Sequence, residues 1–169
     1  MSRSMAGVYP PPARSIGGRP VYSDEERARR DATRWTLVQG VLAPLQFIVF
    51  LASLALILRY LVTGEGWAAA SLSVVAKTLV LYLIMVTGAI WEKVVFGQYL
   101  FAPSFFWEDV VSMLVIALHT ACLIAWFADG AWLDARTQML LALAAYGTYV
   151  VNAAQFLHKL RRARMERAQ

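Results

Sequence analysis

Carboxylates stand in an otherwise apolar region of this 169-residue chain. The stretch "GAIWEKVVFGQYLFAPSFFWEDVV", residues 88–111, holds two Trp-Glu pairs, Trp91-Glu92 and Trp107-Glu108, on either side of a short aromatic connector, and Asp109 follows the second pair. A carboxyl group beside apolar surface tends to keep its proton, because burial disfavours the charged form. These carboxylates are therefore the first candidates for acid–base chemistry.

Glu108 also begins a polar stripe that ends at a histidine. At 100° per residue, Glu108, Ser112, Val115 and His119 lie within about 40° of one another on a helix. Glu108 and His119 are then roughly 16 Å apart along the axis, too far to share a proton but close enough for a long flat ligand to contact both. Further polar residues in the first and last apolar segments should also face a bundle interior, where they would line a crevice; they are Gln39, Gln46, Ser53, Tyr146, Tyr149, Asn152 and Gln155.

The same residues admit purely structural roles. Carboxylates in the first turn of a helix are stabilised by the helix dipole, and Trp91 and Trp107 suit an interfacial aromatic belt. His119 and the amides can hold helices together by hydrogen bonds. Lys77 and Lys93 fit snorkelling side chains or topology signals. Spacing alone therefore indicates no more than an internal polar site.

The elements that would position these groups are membrane spans. Hydrophobic residues make up 59% of the chain and charged residues 16%, which is not a soluble composition. Three charge-free runs, 35–58, 110–128 and 137–158, are long enough for a hydrocarbon core, which needs about 20 residues. A fourth apolar run contains Lys77, which lies roughly 22 Å along a helix from Glu92, so that both could reach outward at opposite ends. The chain is predicted to be an all-α integral membrane protein with four transmembrane helices, at about 36–61, 68–95, 106–127 and 136–158.

Basic residues set the predicted orientation. They precede the first span, lie beside the 96–105 connector at Lys93, and follow the last span. By the positive-inside rule, both termini and this connector are cytoplasmic. Residues 1–22 are predicted to be a disordered Pro- and Gly-rich tail, and 23–169 a single transmembrane domain. Ser23 and Glu26 predict a capping box that opens a short charged helix.

Several other classes of site are disfavoured. Cys122 is the single cysteine, which leaves no disulfide, redox pair or thiolate metal site. His119 and His158 occur without the motifs of a zinc or di-iron centre, so no metal ligand set is predicted. The pI of about 9.7 could suggest nucleic acid, but the basic residues flank predicted spans and membrane topology explains them more simply.

Three long stretches are specific enough to indicate a family. "YSDEERARRDATRWTLVQGVLAPLQFIVFLASL", "LYLIMVTGAIWEKVVFGQYLFAPSFFWEDVVSMLVIALHTA" and "LALAAYGTYVVNAAQFLHKLRRAR" closely resemble the 2-vinyl bacteriochlorophyllide hydratase family. The likeness runs from about Arg19 to Arg164, and the block from Thr87 to Thr120 is its most specific part.

The resemblance implies an enzyme of bacteriochlorophyll synthesis, multi-pass in the inner (intracytoplasmic) membrane of a phototrophic bacterium. Members add water across the ring-A vinyl group of chlorophyllide a and so form a 1-hydroxyethyl group. The implied partners are the chlorophyllide, membrane lipid and neighbouring pathway enzymes, with no nucleic acid. No cofactor is expected, since the magnesium is carried by the substrate.

The reaction suggests roles for the candidate residues. Glu108 is the first candidate for the acid that protonates the vinyl group, with Glu92 or Asp109 as the partner that orients water. His119 is a candidate ligand of the pigment's magnesium, and Lys93 and Lys159 lie on the side expected for its carboxylate. The other predicted substrate contacts are Trp91, Trp107, Tyr149 and Asn152.

Two non-enzymatic alternatives remain open from the residues. A pigment carrier or assembly factor would need the same crevice and His119 but no acid. A small transporter or helical scaffold would use the polar stripes to line a pore or a protein interface, and would bind no chlorophyllide.

Overall fold

Long helices account for most of the chain. The computed structural model describes residues 20–128 and 132–166, and within these ranges it contains helices and no strand. The predicted all-α class is thus confirmed, while the predicted disorder of residues 1–19 lies outside the described residues. The helices are α1 (Asp24–Ala32), α2 (Arg34–Thr63), α3 (Trp67–Phe96), α4 (Phe106–Phe127) and α5 (Ala135–Met165).

Helices α2 to α5 match the four predicted spans. They contain 30, 30, 22 and 31 residues, and each is long and apolar enough to cross a membrane. Their observed limits agree with the predicted ones to within two residues, except that α5 continues to Met165 instead of ending near 158.

The four long helices pack as two antiparallel hairpins. The α2–α3 and α4–α5 pairs each make extensive contacts, and the two hairpins meet along a less extensive seam through α3–α4, α2–α5 and α3–α5. The core of this bundle is formed by buried side chains from all four helices, among them Phe50, Leu81, Val115 and Tyr146. Many large apolar side chains remain exposed on the outside, as expected for helices that face lipid.

Helix α1 lies against one end of the bundle. The predicted capping box is confirmed, because the Ser23 side chain accepts from the Glu26 N–H and the Glu26 carboxylate accepts from the Ser23 N–H. Arg29 Nε donates to the carbonyl of Val95 at 2.8 Å, and this contact joins α1 to the last turn of α3.

The residues before α1 are also held in place. Val21 and Tyr22, which the sequence assigned to the tail, are buried, and the Val21 N–H donates to the Glu166 carboxylate at 3.0 Å. The Tyr22 ring stacks on Phe96, and burial raises the pKa of Tyr22 to about 12. The segment before α1 and the end of α5 therefore both pack at the end of the bundle where α3 ends and α4 begins.

Gly97 ends α3 at this point. Its φ is 85°, a left-handed conformation, and its N–H donates to the Lys93 carbonyl. Because a side chain is strained in this conformation by about 1–2 kcal/mol, we expect Gly97→Ala to lower the thermal unfolding midpoint of the detergent-solubilised protein. Gly40→Ala is the matched control: a Cβ at Gly40 meets nothing within 4 Å, and Ala favours a helix interior. Equal midpoints for the two variants would contradict this account.

The prediction that Lys77 and Glu92 reach outward is wrong. Lys77 is fully buried, with its ammonium 3.7 Å from the centroid of the Tyr149 ring on α5. Glu92 lies near the end of α3 as expected but is covered by the connector to α4. The physical reason is that both side chains face the seam between the hairpins, where aromatic rings and backbone amides provide contacts that lipid cannot.

Candidate functional site

Glu92 and Asp109 form a pair of carboxyl groups beneath the connector between α3 and α4. Both are buried, and they lie close enough to interact with each other. Two neighbouring buried carboxyl groups repel each other when both are ionised, so this arrangement favours a proton on one of them. The pair can therefore hold a proton between its two oxygens in a site that excludes bulk water.

The backbone of the connector fixes this pair in position. The Phe101 N–H donates to Asp109 Oδ2 at 2.7 Å, and the Ala102 N–H donates to Glu92 Oε2 at 3.3 Å. Phe101 adopts a φ of 59°, which is uncommon for a residue with a Cβ. The turn needed to aim two successive amides at two carboxyl groups accounts for this strained conformation.

Glu108 is placed differently from the pair. Its Oε1 lies 2.9 Å from Lys159 Nζ on α5, in an ion pair that is largely buried. Its Oε2 is buried and has no hydrogen-bond partner in the described part of the chain. Because Oε1 is taken by the Lys159 ammonium, Oε2 is the oxygen through which Glu108 can accept a further hydrogen bond.

Lys159 also holds the end of the connector. Its ammonium donates to the Ser104 carbonyl and lies 5.4 Å from the centroid of the Phe105 ring. Together with the two amides that donate to Glu92 and Asp109, this contact attaches the connector to α3, α4 and α5.

Three predicted substrate contacts at this end lie in different environments; they are Trp91, Trp107 and Lys93. Trp91 packs edge-on against Phe96 and Phe105 and donates through Nε1 to Thr36, and its contact with substrate stays a prediction. Trp107 is 70% exposed and is free to contact lipid or a flat ligand. Lys93 donates to the Gly97 carbonyl at the surface.

The polar stripe of α4 is buried along its full length, as predicted. Ser112 donates to the Glu108 carbonyl, and Asn152 Nδ2 of α5 donates to Ser112 Oγ at 2.8 Å. Asn152 Oδ1 has no partner among the residues the structure describes. Ser112 is only one turn from Glu108. The unpartnered oxygen of Asn152 therefore extends the polar surface from the carboxylates into the bundle.

His119 ends the stripe with one free nitrogen. Its Nδ1 lies 2.8 Å from the Val115 carbonyl, which can only accept, so Nδ1 carries the proton of the neutral ring. Its Nε2 is buried without a partner in the described ranges, and its ring stacks on Tyr146 at 5.6 Å. Nε2 thus presents to the interior a lone pair that could ligate a metal ion.

Lys77 was not among the predicted site residues, although it belongs to this region. The signal was its charge inside an apolar span, since an ionisable residue in a membrane helix marks a candidate functional site.

Within residues 20–128 and 132–166, no group of three His, Cys, Asp or Glu is arranged to hold a metal ion.

Comparison with known proteins identifies the family. The family model for 2-vinyl bacteriochlorophyllide hydratase matches residues 22–162. The chain belongs to the 2-vinyl bacteriochlorophyllide hydratase family. Its membership makes it a hydro-lyase of bacteriochlorophyll synthesis and confirms the resemblance read from the sequence.

Two curated members of the hydratase family are similar over most of their length. The 2-vinyl bacteriochlorophyllide hydratase of Cereibacter sphaeroides is 68% identical over 148 residues, which cover 88% of this chain and 91% of that protein. The protein of the same name from Rhodobacter capsulatus is 66% identical over 148 residues, covering 88% of this chain and 85% of the relative. No solved structure matches the chain.

Proposed function

We propose that this chain adds water across the ring-A vinyl group of chlorophyllide a and forms the 1-hydroxyethyl product. The observation that carries the proposal is the buried Glu92–Asp109 pair, which lies near a Glu108 oxygen that has no partner among the described residues. Hydration of a vinyl group needs an acid, a positioned water and exclusion of bulk solvent, and these three groups can provide them. The magnesium is part of the substrate, and the proposal requires no cofactor.

The first step is protonation of the terminal vinyl carbon by the Glu92–Asp109 pair. The positive charge then develops on the inner carbon, where conjugation with the macrocycle spreads it. The nearby negative charges stabilise this cation electrostatically. This assignment exchanges the roles expected from the sequence, where Glu108 was the first candidate for the acid.

The second step is attack of water on the inner carbon. Glu108 Oε2 can accept a hydrogen bond from this water and hold it, because Lys159 occupies the other oxygen. The oxygen of water bonds to the inner carbon, and one proton of this water passes to the Glu92–Asp109 pair. The net change is addition of one water, and the acid is restored.

The pigment would lie in the seam between the two hairpins. Glu92 faces the seam from α3, and Asp109, Glu108 and His119 face it from α4. Because the contacts across the seam are less extensive than those within each hairpin, separation of the hairpins is the simplest way to admit a flat macrocycle. His119 Nε2 is the candidate ligand of the magnesium, but it lies roughly 16 Å along α4 from Glu108, so ligation requires the macrocycle to sit deeper in the seam than it does when the vinyl group reaches the carboxylates.

The remaining predicted contacts would act around the macrocycle. Trp107 is exposed at the carboxylate end and suits stacking on an edge of the ring. Tyr149 and Asn152 line the same interior face as His119, and Lys93 lies at the surface beside the connector. We place the protein in the bacterial inner (intracytoplasmic) membrane with both termini cytoplasmic, in contact with lipid and near other enzymes of the pathway, as the basic flanks favour.

Expression in a host that lacks this pathway tests the function. When membranes containing the chain are supplied with chlorophyllide a, we expect a product heavier by one water, detected by mass spectrometry. Membranes from the same host without the chain are the control, and a known hydratase of the family shows that the conditions support the reaction. Absence of the product beside an active known hydratase would contradict the proposed substrate.

A further inference from the structure

Lys77 is a buried cation without a hydrogen-bond acceptor. It is 0% exposed in the middle of α3, and no described residue accepts a hydrogen bond from its ammonium. Its contacts are the faces of Tyr149, at 3.7 Å, and Tyr146, at 5.8 Å. Removing an ammonium from water is costly unless acceptors replace the water, and two aromatic faces replace only part of it.

Other unpartnered polar atoms occur on the helices around Lys77. Both side-chain polar atoms of Gln46 on α2 are buried and unpartnered in the described part of the chain, as is Nε2 of His119 on α4. Lys77 and His119 are close enough to interact electrostatically. Buried polar groups are almost always satisfied in folded proteins, so unpartnered groups on three packed helices are candidate contacts for a ligand.

This interior cluster is separate from the carboxylate end. The ammonium of Lys77 lies over the ring of Tyr149, which is ten residues before Lys159 on α5 and hence roughly 15 Å from it along the axis. The two polar regions face the same seam and are joined by the Ser112–Asn152 hydrogen bond. A ligand that occupied the seam could therefore reach both regions at once.

We propose that Lys77 is a substrate-recognition residue that donates a hydrogen bond to an oxygen on the edge of the pigment remote from the vinyl group. This inference rests on the proposed function, since it places chlorophyllide a in the seam. The oxygen acceptors of the pigment include a ring ketone and the propionate carboxylate, and either would supply what Lys77 lacks. With one edge bound by Lys77, the vinyl group at the other edge is directed toward the Glu92–Asp109 pair.

Titration of the purified protein with chlorophyllide a, followed by pigment absorbance, tests this role. We expect Lys77→Met to bind about 10- to 100-fold more weakly, because a hydrogen bond from a charged donor is lost, and to raise KM by a similar factor. Its thermal midpoint should stay equal or rise, because an unpaired buried charge is replaced by an apolar side chain of similar length. Arg59→Met, which removes an exposed cation from α2, is the control and should leave binding unchanged.

Two pigment analogues distinguish the acceptors and require no variant. With the wild-type protein, chlorophyllide methyl ester should bind more weakly if Lys77 pairs with the carboxylate, and a ketone-reduced chlorophyllide should do so if it binds the ketone. One of the two analogues lacks the oxygen that Lys77 binds. The loss of affinity caused by that analogue should not add to the loss caused by Lys77→Met, since both remove the same contact.

Unchanged binding by Lys77→Met would overturn the role of Lys77. If that variant cannot be purified, tight binding of both analogues by the wild type would overturn it equally. Failure of the proposed function would give a different result: the wild-type protein would bind the pigment and form no hydrated product.

Discussion

Asp109→Asn and Glu92→Gln are each expected to lower kcat for hydration by about 10²–10⁴-fold, the usual contribution of a general acid. Each amide keeps an oxygen that can accept from the connector, at Phe101 or Ala102, but the pair loses the carboxyl group that shares its proton. Pigment affinity should change little, because binding is assigned to the interior of the seam. Steady-state rates and pigment titration measured on the same preparations separate the two effects.

Asp134→Asn is the matched control for this pair. Asp134 is an exposed carboxylate that caps α5 by accepting from the Thr137 N–H, and Asn caps helices equally well. Its rate should equal that of the wild type. Full activity in both Asp109→Asn and Glu92→Gln would remove the pair from the mechanism, and a large loss in Glu108→Gln alone would restore Glu108 as the acid.

Lys159→Met is expected to have the largest effect on stability. It leaves Glu108 buried and charged without its partner, and breaking a buried ion pair in this way costs about 3–5 kcal/mol. Lys159 is 24% exposed, so solvent screens part of the interaction, and we expect a loss of about 2–3 kcal/mol. Denaturant unfolding of the detergent-solubilised protein, followed by tryptophan fluorescence, measures it.

The double variant Glu108→Gln/Lys159→Met isolates the ion pair. Because it removes the buried charge together with its partner, it should be more stable than Lys159→Met alone. The contact from Lys159 to the Ser104 carbonyl is lost in both proteins and cancels in the comparison. If the double variant were the less stable of the two, the penalty would lie in the connector and not in the unpaired carboxylate.

The fold was predictable because hydrophobic runs and capping residues determine the helices from residues close together in the sequence. Hydrophobic runs fixed four spans, and the Ser23–Glu26 spacing fixed the start of α1. The end of α5 was placed too early, since the prediction followed hydropathy, whereas Lys and Arg are good helix formers and carry the helix beyond its apolar part. The buried stripe of α4 also followed directly from helical periodicity.

The chemistry of the site was less predictable because it depends on contacts between helices. The sequence placed Glu92 and Asp109 at one end of the bundle, but the position of Asp109 beside Glu92 also depends on the turn at Phe101. The partner of Glu108 lies on α5, 51 residues away, and no spacing rule connects them. Lys77 was misjudged because snorkelling is the usual behaviour of lysine in a span, and only the packing of α5 against α3 turns it inward.

The attachment of the 97–105 connector to Glu92, Asp109 and Lys159 decides where a reporter can be inserted in this protein. An epitope tag or fluorescent domain placed there would pull the amides away from the carboxyl groups and abolish turnover. The turn at 64–66 is exposed, and its hydrogen bonds within the described residues are to neighbouring residues. We therefore expect this turn to accept a label for imaging in living cells with turnover retained.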